Sequence, residues 1–127
     1  IAQATAQALL ADGIQKVGLL GTKYTMTKDF YKEKLIESGL EVLIPGQAGI
    51  TEVNRIIYDE LCLGDIKESS KQIYLAVIDE LKKAGAEAVI LGCTEIGLLV
   101  KQSDTDLPLY DTTVIHAEKA AEWAVNK

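Results

Sequence analysis

The chain has 127 residues, is 48% hydrophobic and 25% charged, and carries a formal net charge of -6, the profile of one globular domain rather than a disordered segment. No apolar run reaches bilayer length, and the basic residues never cluster beyond Lys82-Lys83, so a membrane span and a nucleic-acid partner are both excluded at this level. Two cysteines, Cys62 and Cys93, one histidine, His116, and no Cys-x-x-Cys leave no basis for a structural zinc site or a disulfide framework.

Ile1 to Ala11 is alanine-rich and free of Pro and Gly, and it stops at Asp12-Gly13, which predicts a helix and its terminator. Val17-Gly18-Leu19-Leu20, ended by Gly21-Thr22, is too short for a helix and suits a strand buried on both faces. From Thr25 to Ser38, Met26, Phe30, Tyr31 and Leu35 share one helical face and Gly39 ends it. Val42-Leu43-Ile44 before Pro45-Gly46 reads as a second strand. Ile50, Val53, Ile57 and Leu61 form another stripe, Gly64 interrupts it, and a long helix carrying Ile66, Ile73, Val77 and Leu81 runs to Gly85. Ala88 to Leu91 is a third strand, a helical run follows from Thr94 towards Val100, Leu107 to Tyr110 is a fourth strand, and an alanine-rich helix closes the chain from about Thr112 to Val125.

Short apolar strands alternating with amphipathic helices predict an α/β three-layer sandwich around a mostly parallel four-stranded sheet. Residues 1–110 form the domain, and 111–127 form a terminal helix in excess of what the sheet needs for cover. In such sheets chemistry gathers at the carboxyl ends of the strands, beside helix amino termini. Those ends read Gly21-Thr22, Pro45-Gly46, Gly92-Cys93-Thr94-Glu95 and Asp111-Thr112-Thr113.

Cys93 falls between an apolar strand and a helix start, where unpaired N–H groups and the helix dipole favour a thiolate able to act as nucleophile or base. Gly92 permits close backbone approach and Thr94 adds a hydroxyl, so the three residues form a small anion cradle; buried packing is the competing reading of the sulfur. Gly21-Thr22 with Thr25 and Thr27 forms a second cradle, against the alternative of a turn with helix caps. Cys62, between Leu61 and Leu63, reads as a core residue, and His116 as a solvated or hydrogen-bonded side chain.

Four blocks together resemble the second half of the aspartate/glutamate racemase family: Val17-Gly-Leu-Leu-Gly-Thr-Lys-Tyr-Thr, Glu-Val-Asn-Arg-Ile-Ile-Tyr-Asp-Glu-Leu at 52 to 61, Leu91-Gly-Cys-Thr-Glu-Ile, and Pro108-Leu-Tyr-Asp-Thr-Thr. The resemblance spans nearly the whole chain. It implies a cofactor-independent amino-acid racemase of two similar α/β domains, with the substrate held between a cysteine from each, one sulfur removing the α proton and the other delivering one on the opposite face. In that scheme Cys93 is the second-domain acid/base, Thr94 helps hold the substrate α-carboxylate, and Thr22 and Thr25 lie on the same rim; neither a metal nor a cofactor is expected. Where relatives acting on aspartate place a lysine before the long helix, this chain has Cys62, with Lys67 the nearest cation, so a broader or neutral substrate is compatible with the pattern.

The expected setting is a reducing cytoplasm, and Ile1, with no basic-to-apolar leader after it, reads as a trimmed end. A preceding domain with its own strand-end acid/base is expected to be missing from these residues, which alone should not racemise. The exposed apolar face left behind predicts a homo-oligomer, or a terminal helix seated on the missing domain or a neighbouring chain. Two rivals stand beside this reading: a flavodoxin-like α/β binding or regulatory module without catalysis, and a cysteine hydrolase using Cys93 with His116.

Overall fold

A computed structural model of the chain describes residues 2–27, 29–92, 95–112 and 115, with the side chains of 2–4 and 29–31 left aside. The elements are α1 (Ala2–Ala11), β1 (Lys16–Leu20), α2 (Lys23–Thr27), α3 (Asp29–Glu37), β2 (Glu41–Leu43), α4 (Gln47–Asp59), a 3₁₀ turn at Leu61–Leu63, α5 (Glu68–Lys83), β3 (Ala88–Leu91), α6 (Ile96–Leu99), a second 3₁₀ turn at Gln102–Asp104, and β4 (Leu109–Asp111). The four strands form one sheet in the order β2-β1-β3-β4. Every pairing is parallel, so the expected α/β sandwich around a mostly parallel sheet is what the chain forms. Among the described residues no helix is long and apolar enough to cross a membrane.

Strand periodicity divides the core in two. Side chains alternate across a strand, and Val17, Leu19, Ala88 and Ile90 pack on one face with Ala6 and Leu9 of α1 and Leu35 of α3. Leu20, Val89 and Leu91 pack on the other with Val53, Ile56 and Ile57 of α4, Tyr74, Val77, Ile78 and Leu81 of α5, and Ile96 and Leu99 of α6. Because both faces are covered, the central strands need apolar residues at every position, which is why they read as unbroken runs. Gly18 is the exception with a cause: a Cβ there would lie 2.8 Å from Leu81 Cδ1, so its absence lets α5 close onto β1.

The structure shifts several expected boundaries. The fourth strand is Leu109–Asp111, and Leu107 is buried ahead of it without joining the sheet. Ile66, expected inside the long helix, is exposed in the segment before Glu68. Cys62, expected in the core, is exposed: in a 3₁₀ turn successive side chains step by a third of a circle, and Leu61 takes the inward direction. The expected terminal helix lies outside the described residues except for Thr112 and Ile115.

One buried carboxylate pins the joint between α4 and α5. Glu60 is 6% exposed. Its side chain accepts from the Ser70 hydroxyl and from Arg55 Nη1, the latter at 3.1 Å, and its carbonyl accepts the Leu63 and Asp65 amides at 3.1 and 2.8 Å. The Ser70 bond first, then Arg55 and the nearby Lys67 charge, hold its carboxyl below the usual range against the opposing effect of burial. A depressed folded-state value means this contribution is present above the unfolded value, about 4.3, and is lost as pH falls through the folded one. Thermal unfolding from about pH 7 down to about pH 3 should show the wild-type Tm falling more steeply than that of Glu60→Gln, which should start lower at neutral pH; parallel curves would contradict the assignment.

The second constraint lies at the carboxyl end of β3. The Gly92 amide donates to the Leu20 carbonyl at 2.7 Å, and a Cβ on Gly92 would lie 2.9 Å from that same oxygen. Backbone atoms there have no rotamer with which to yield. Gly92→Ala should therefore destabilise the chain by about 1–3 kcal/mol in denaturant unfolding, and a change within error of zero would show that the strands do not depend on this approach.

Candidate functional site at the carboxyl ends of the central strands

From β1 the chain moves outward to β2, then crosses back to β3 and outward to β4. Connections leaving adjacent strands in opposite directions open a crevice beyond their carboxyl ends, here between β1 and β3. Register places Leu20, Leu91 and Asp111 in one line across the sheet. Gly21-Thr22, Gly92 and Thr112 are therefore the first residues beyond the edge on three neighbouring strands.

Thr22 and Thr25 meet on this rim. Their hydroxyl oxygens are 3.2 Å apart, and Thr22 Oγ1 also accepts the Thr25 amide at 3.3 Å, which makes Thr22 the side-chain cap of α2. Thr25 in turn lies against both glycines: a Cβ on Gly21 would be 3.1 Å from its Cβ and Cγ2, and one on Gly92 would be 3.4 Å from its Cγ2. The glycines at these strand ends thus make room for a threonine whose hydroxyl faces a second hydroxyl. Such a pair can donate to an anion while each oxygen keeps an acceptor site.

Other polar groups organise the same edge. The Thr112 hydroxyl, buried, donates to the Leu91 carbonyl at 3.2 Å. Asp111 Oδ2 lies 2.9 Å from where a Gly97 Cβ would stand, so the carboxylate sits against the backbone of α6. Asn54 Oδ1, reaching from α4, accepts the Lys23 amide at 2.7 Å. Sequence reasoning assigned no role to Asn54 or Thr112. Asn54 is a half-buried amide beside the apolar stripe of Val53 and Ile57, and a polar residue flanked in that way was the available signal.

Of the expected site residues, Thr22 and Thr25 are brought together. Cys93 and Thr94 lie outside the described residues, as does His116, so neither the expected acid/base thiol nor the Cys93-His116 pair of the hydrolase rival is touched by this geometry. Lys67 is exposed and pairs with Asp65 at 3.4 Å. Among the described residues no group of three or more His, Cys, Asp or Glu side chains stands close enough to hold a metal ion. A cleft of about 250 Å³ lies between α5 and the 103–106 segment, lined in part by Leu75, Ile78, Asp79, Lys82, Asp104 and Asp106. These residues precede β3 and β4, which puts the cleft towards the amino edge of the sheet. Its charges are also largely engaged, with Lys71 on Asp104 at 2.9 Å and Lys82 on Asp106 at 3.8 Å.

Comparison with known proteins gives this edge a context. The family model for Asp/Glu/hydantoin racemases matches residues 1–120. A crystal structure of a candidate Asp/Glu racemase from Yersinia pestis is 49% identical, superposes with a TM-score of 0.94, and is matched over 98% of this chain and 54% of its own. An aspartate racemase homologue from Pyrococcus horikoshii OT3 is 43% identical with a TM-score of 0.90, again over 98% of this chain and 54% of that one. The chain thus spans about half the length of these solved relatives. An uncharacterized protein in the pnlA 3' region of Pectobacterium carotovorum subsp. carotovorum is 33% identical over 125 residues, 97% of this chain and 82% of that protein. With a model match over nearly its whole length and these relatives, the chain belongs to the Asp/Glu/hydantoin racemase family.

Proposed function

We propose that these residues form the carboxyl-terminal half of a cofactor-independent amino-acid racemase and supply one wall of its active site. The observation that carries the reading is the crevice beyond β1 and β3, where the Thr22-Thr25 hydroxyl pair stands against Gly92, the residue immediately before Cys93 in sequence. Family membership supplies the reaction class, and the rim supplies donors of the kind an amino-acid carboxylate requires.

An amino-acid α C–H is a very weak acid. Removing it without a cofactor requires donors on the carboxylate, where negative charge grows in the transition state, a base held at the α carbon, and exclusion of water. In the proposed reaction the Cys93 thiolate takes the α proton on one face, and an acid on the opposite face delivers another. One C–H bond breaks, one forms, and the configuration inverts with no net change in protons. Thr22, Thr25 and Thr94 hold the α-carboxylate during the exchange.

The opposing acid/base belongs to a preceding domain, so the 127-residue chain by itself inverts nothing. The 3₁₀ turn at Leu61–Leu63 touches α6, and Leu63 in the turn, Ile66 just after it and Leu98 in α6 are exposed. These apolar side chains favour cover by that domain, by the 111–127 segment or by a second copy.

Cys93→Ser in the full-length enzyme should lower racemisation and α-hydrogen exchange into deuterated solvent by at least about a hundredfold. Thr22→Val should lower kcat/KM about tenfold with part of the loss in kcat, because the donor binds a carboxylate whose negative charge grows in the transition state. The substrate panel should include aspartate, glutamate and neutral amino acids. Undiminished exchange in Cys93→Ser, or inversion by the 127-residue chain alone, would overturn the proposal.

A further inference from the structure

The racemase reading assigns the rim to Thr22 and Thr25 but leaves open what fixes these hydroxyls in space. Helix α2 has five residues, too few to be stable through its own hydrogen bonds. Its placement is imposed from outside. Met26 is fully buried in the core, which fixes the depth of the helix. Thr22 caps it from within, through the Thr25 amide at 3.3 Å and the Met26 amide on the Thr22 carbonyl at 3.0 Å. Neither contact sets how the first turn is rotated relative to the rest of the site.

Asn54 supplies that restraint. Its Oδ1 accepts the Lys23 amide at 2.7 Å across 31 residues of sequence, the amide group adjoining Thr22. A backbone N–H is a donor only, so the amide oxygen must be the atom facing α2. Asn54 is itself held firmly. The neighbouring Val53 is fully buried and its carbonyl accepts the Tyr74 hydroxyl of α5 at 2.8 Å, with Tyr74 also fully buried. Ile56 and Ile57, on the same helix, are in the core as well. The path from the packed core to the hydroxyl pair is therefore short: Tyr74 to the backbone of α4, Asn54 to Lys23, and Lys23 to its neighbour Thr22.

We propose that Asn54 is a positioning residue of the carboxylate-binding rim, acting on substrate through Thr22 and Thr25 and not by touching it. The proposal rests on the racemase reading for the identity of the ligand. A neutral amide suits the task, since it accepts from Lys23 without placing a full negative charge beside a site meant for a carboxylate.

Two measurements test this. In the full-length protein, amide hydrogen exchange at Lys23 should be about tenfold faster in Asn54→Ala, with Leu20 and Ile90 unchanged, and should stay slow in Asn54→Asp, which keeps an acceptor. In the full-length enzyme Asn54→Ala should lower kcat/KM about tenfold with the loss shared between kcat and KM, as in Thr22→Val, because the donors it positions bind a carboxylate whose charge grows in the transition state. A purely structural residue would lower the Tm and leave both kinetic parameters of the folded enzyme unchanged. Unchanged Lys23 exchange in Asn54→Ala, or equal acceleration in Asn54→Asp, overturns the positioning tie whatever the reaction proves to be. Accelerated exchange with an unaltered kcat/KM overturns its role at the rim. A wild-type enzyme that exchanges no α hydrogen takes down the racemase reading instead, a failure recognisable because the Lys23 measurement does not depend on it.

Discussion

The close approach of β1 and β3 at their carboxyl ends is the constraint on which the rest of this molecule depends. A hydrogen bond from Gly92 to Leu20 draws the two backbones together, and the lack of side chains at Gly21 and Gly92 admits Thr25 beside them. Parallel strands with apolar residues on both faces can be built from many sequences. A crevice at the switch point with two hydroxyls on its rim requires small residues at just these strand ends.

The surrounding structure serves that edge from both sides. Beneath it, alternate residues of β1 and β3 commit to two separate cores, so a slip of one residue would send side chains packed in one core into the other and carry Gly18 away from Leu81. Beside it, α4 does two jobs: Asn54 reaches α2, and Glu60, at the end of the helix, closes the turn into α5 through Ser70 and Arg55. Burying an ionised carboxylate is weak evidence of added stability; its better-attested use is to specify one arrangement among several. Here the arrangement specified is the 61–67 segment, whose Cys62, Leu63 and Ile66 face outward.

Much of the fold was legible in the sequence because burial on both faces writes itself as uninterrupted apolar strands, and glycines such as Gly39 and Gly85 marked helix ends with the positive φ they adopt, 100° and 111°. The edge strand was less legible. Pro108 and Leu107 carry strand-like composition, yet pairing with β3 begins at Leu109. Cys62 misled because a continuing α-helix would have kept it on the apolar side, whereas the 3₁₀ turn points Leu61 inward and leaves Cys62 exposed. Thr22 and Thr25 were singled out through the strand-end rule, whereas Asn54 was not, because a search for apolar stripes passes over a polar residue whose partner lies 31 positions away. The placement of a thiol in sequence after Gly92 was plain from Leu91-Gly-Cys-Thr, and the acid/base role proposed for it rests on the resemblance to the family.

The central claim is that an amino acid's carboxylate is received at the carboxyl edge between β1 and β3. A crystal structure of the full-length enzyme with a bound substrate carboxylate or an unreactive analogue tests this most directly. The account predicts a carboxylate oxygen within about 3 Å of Thr22 Oγ1 or Thr25 Oγ1. A ligand seated instead in the cleft between α5 and the 103–106 segment, with both threonine hydroxyls untouched, would contradict it.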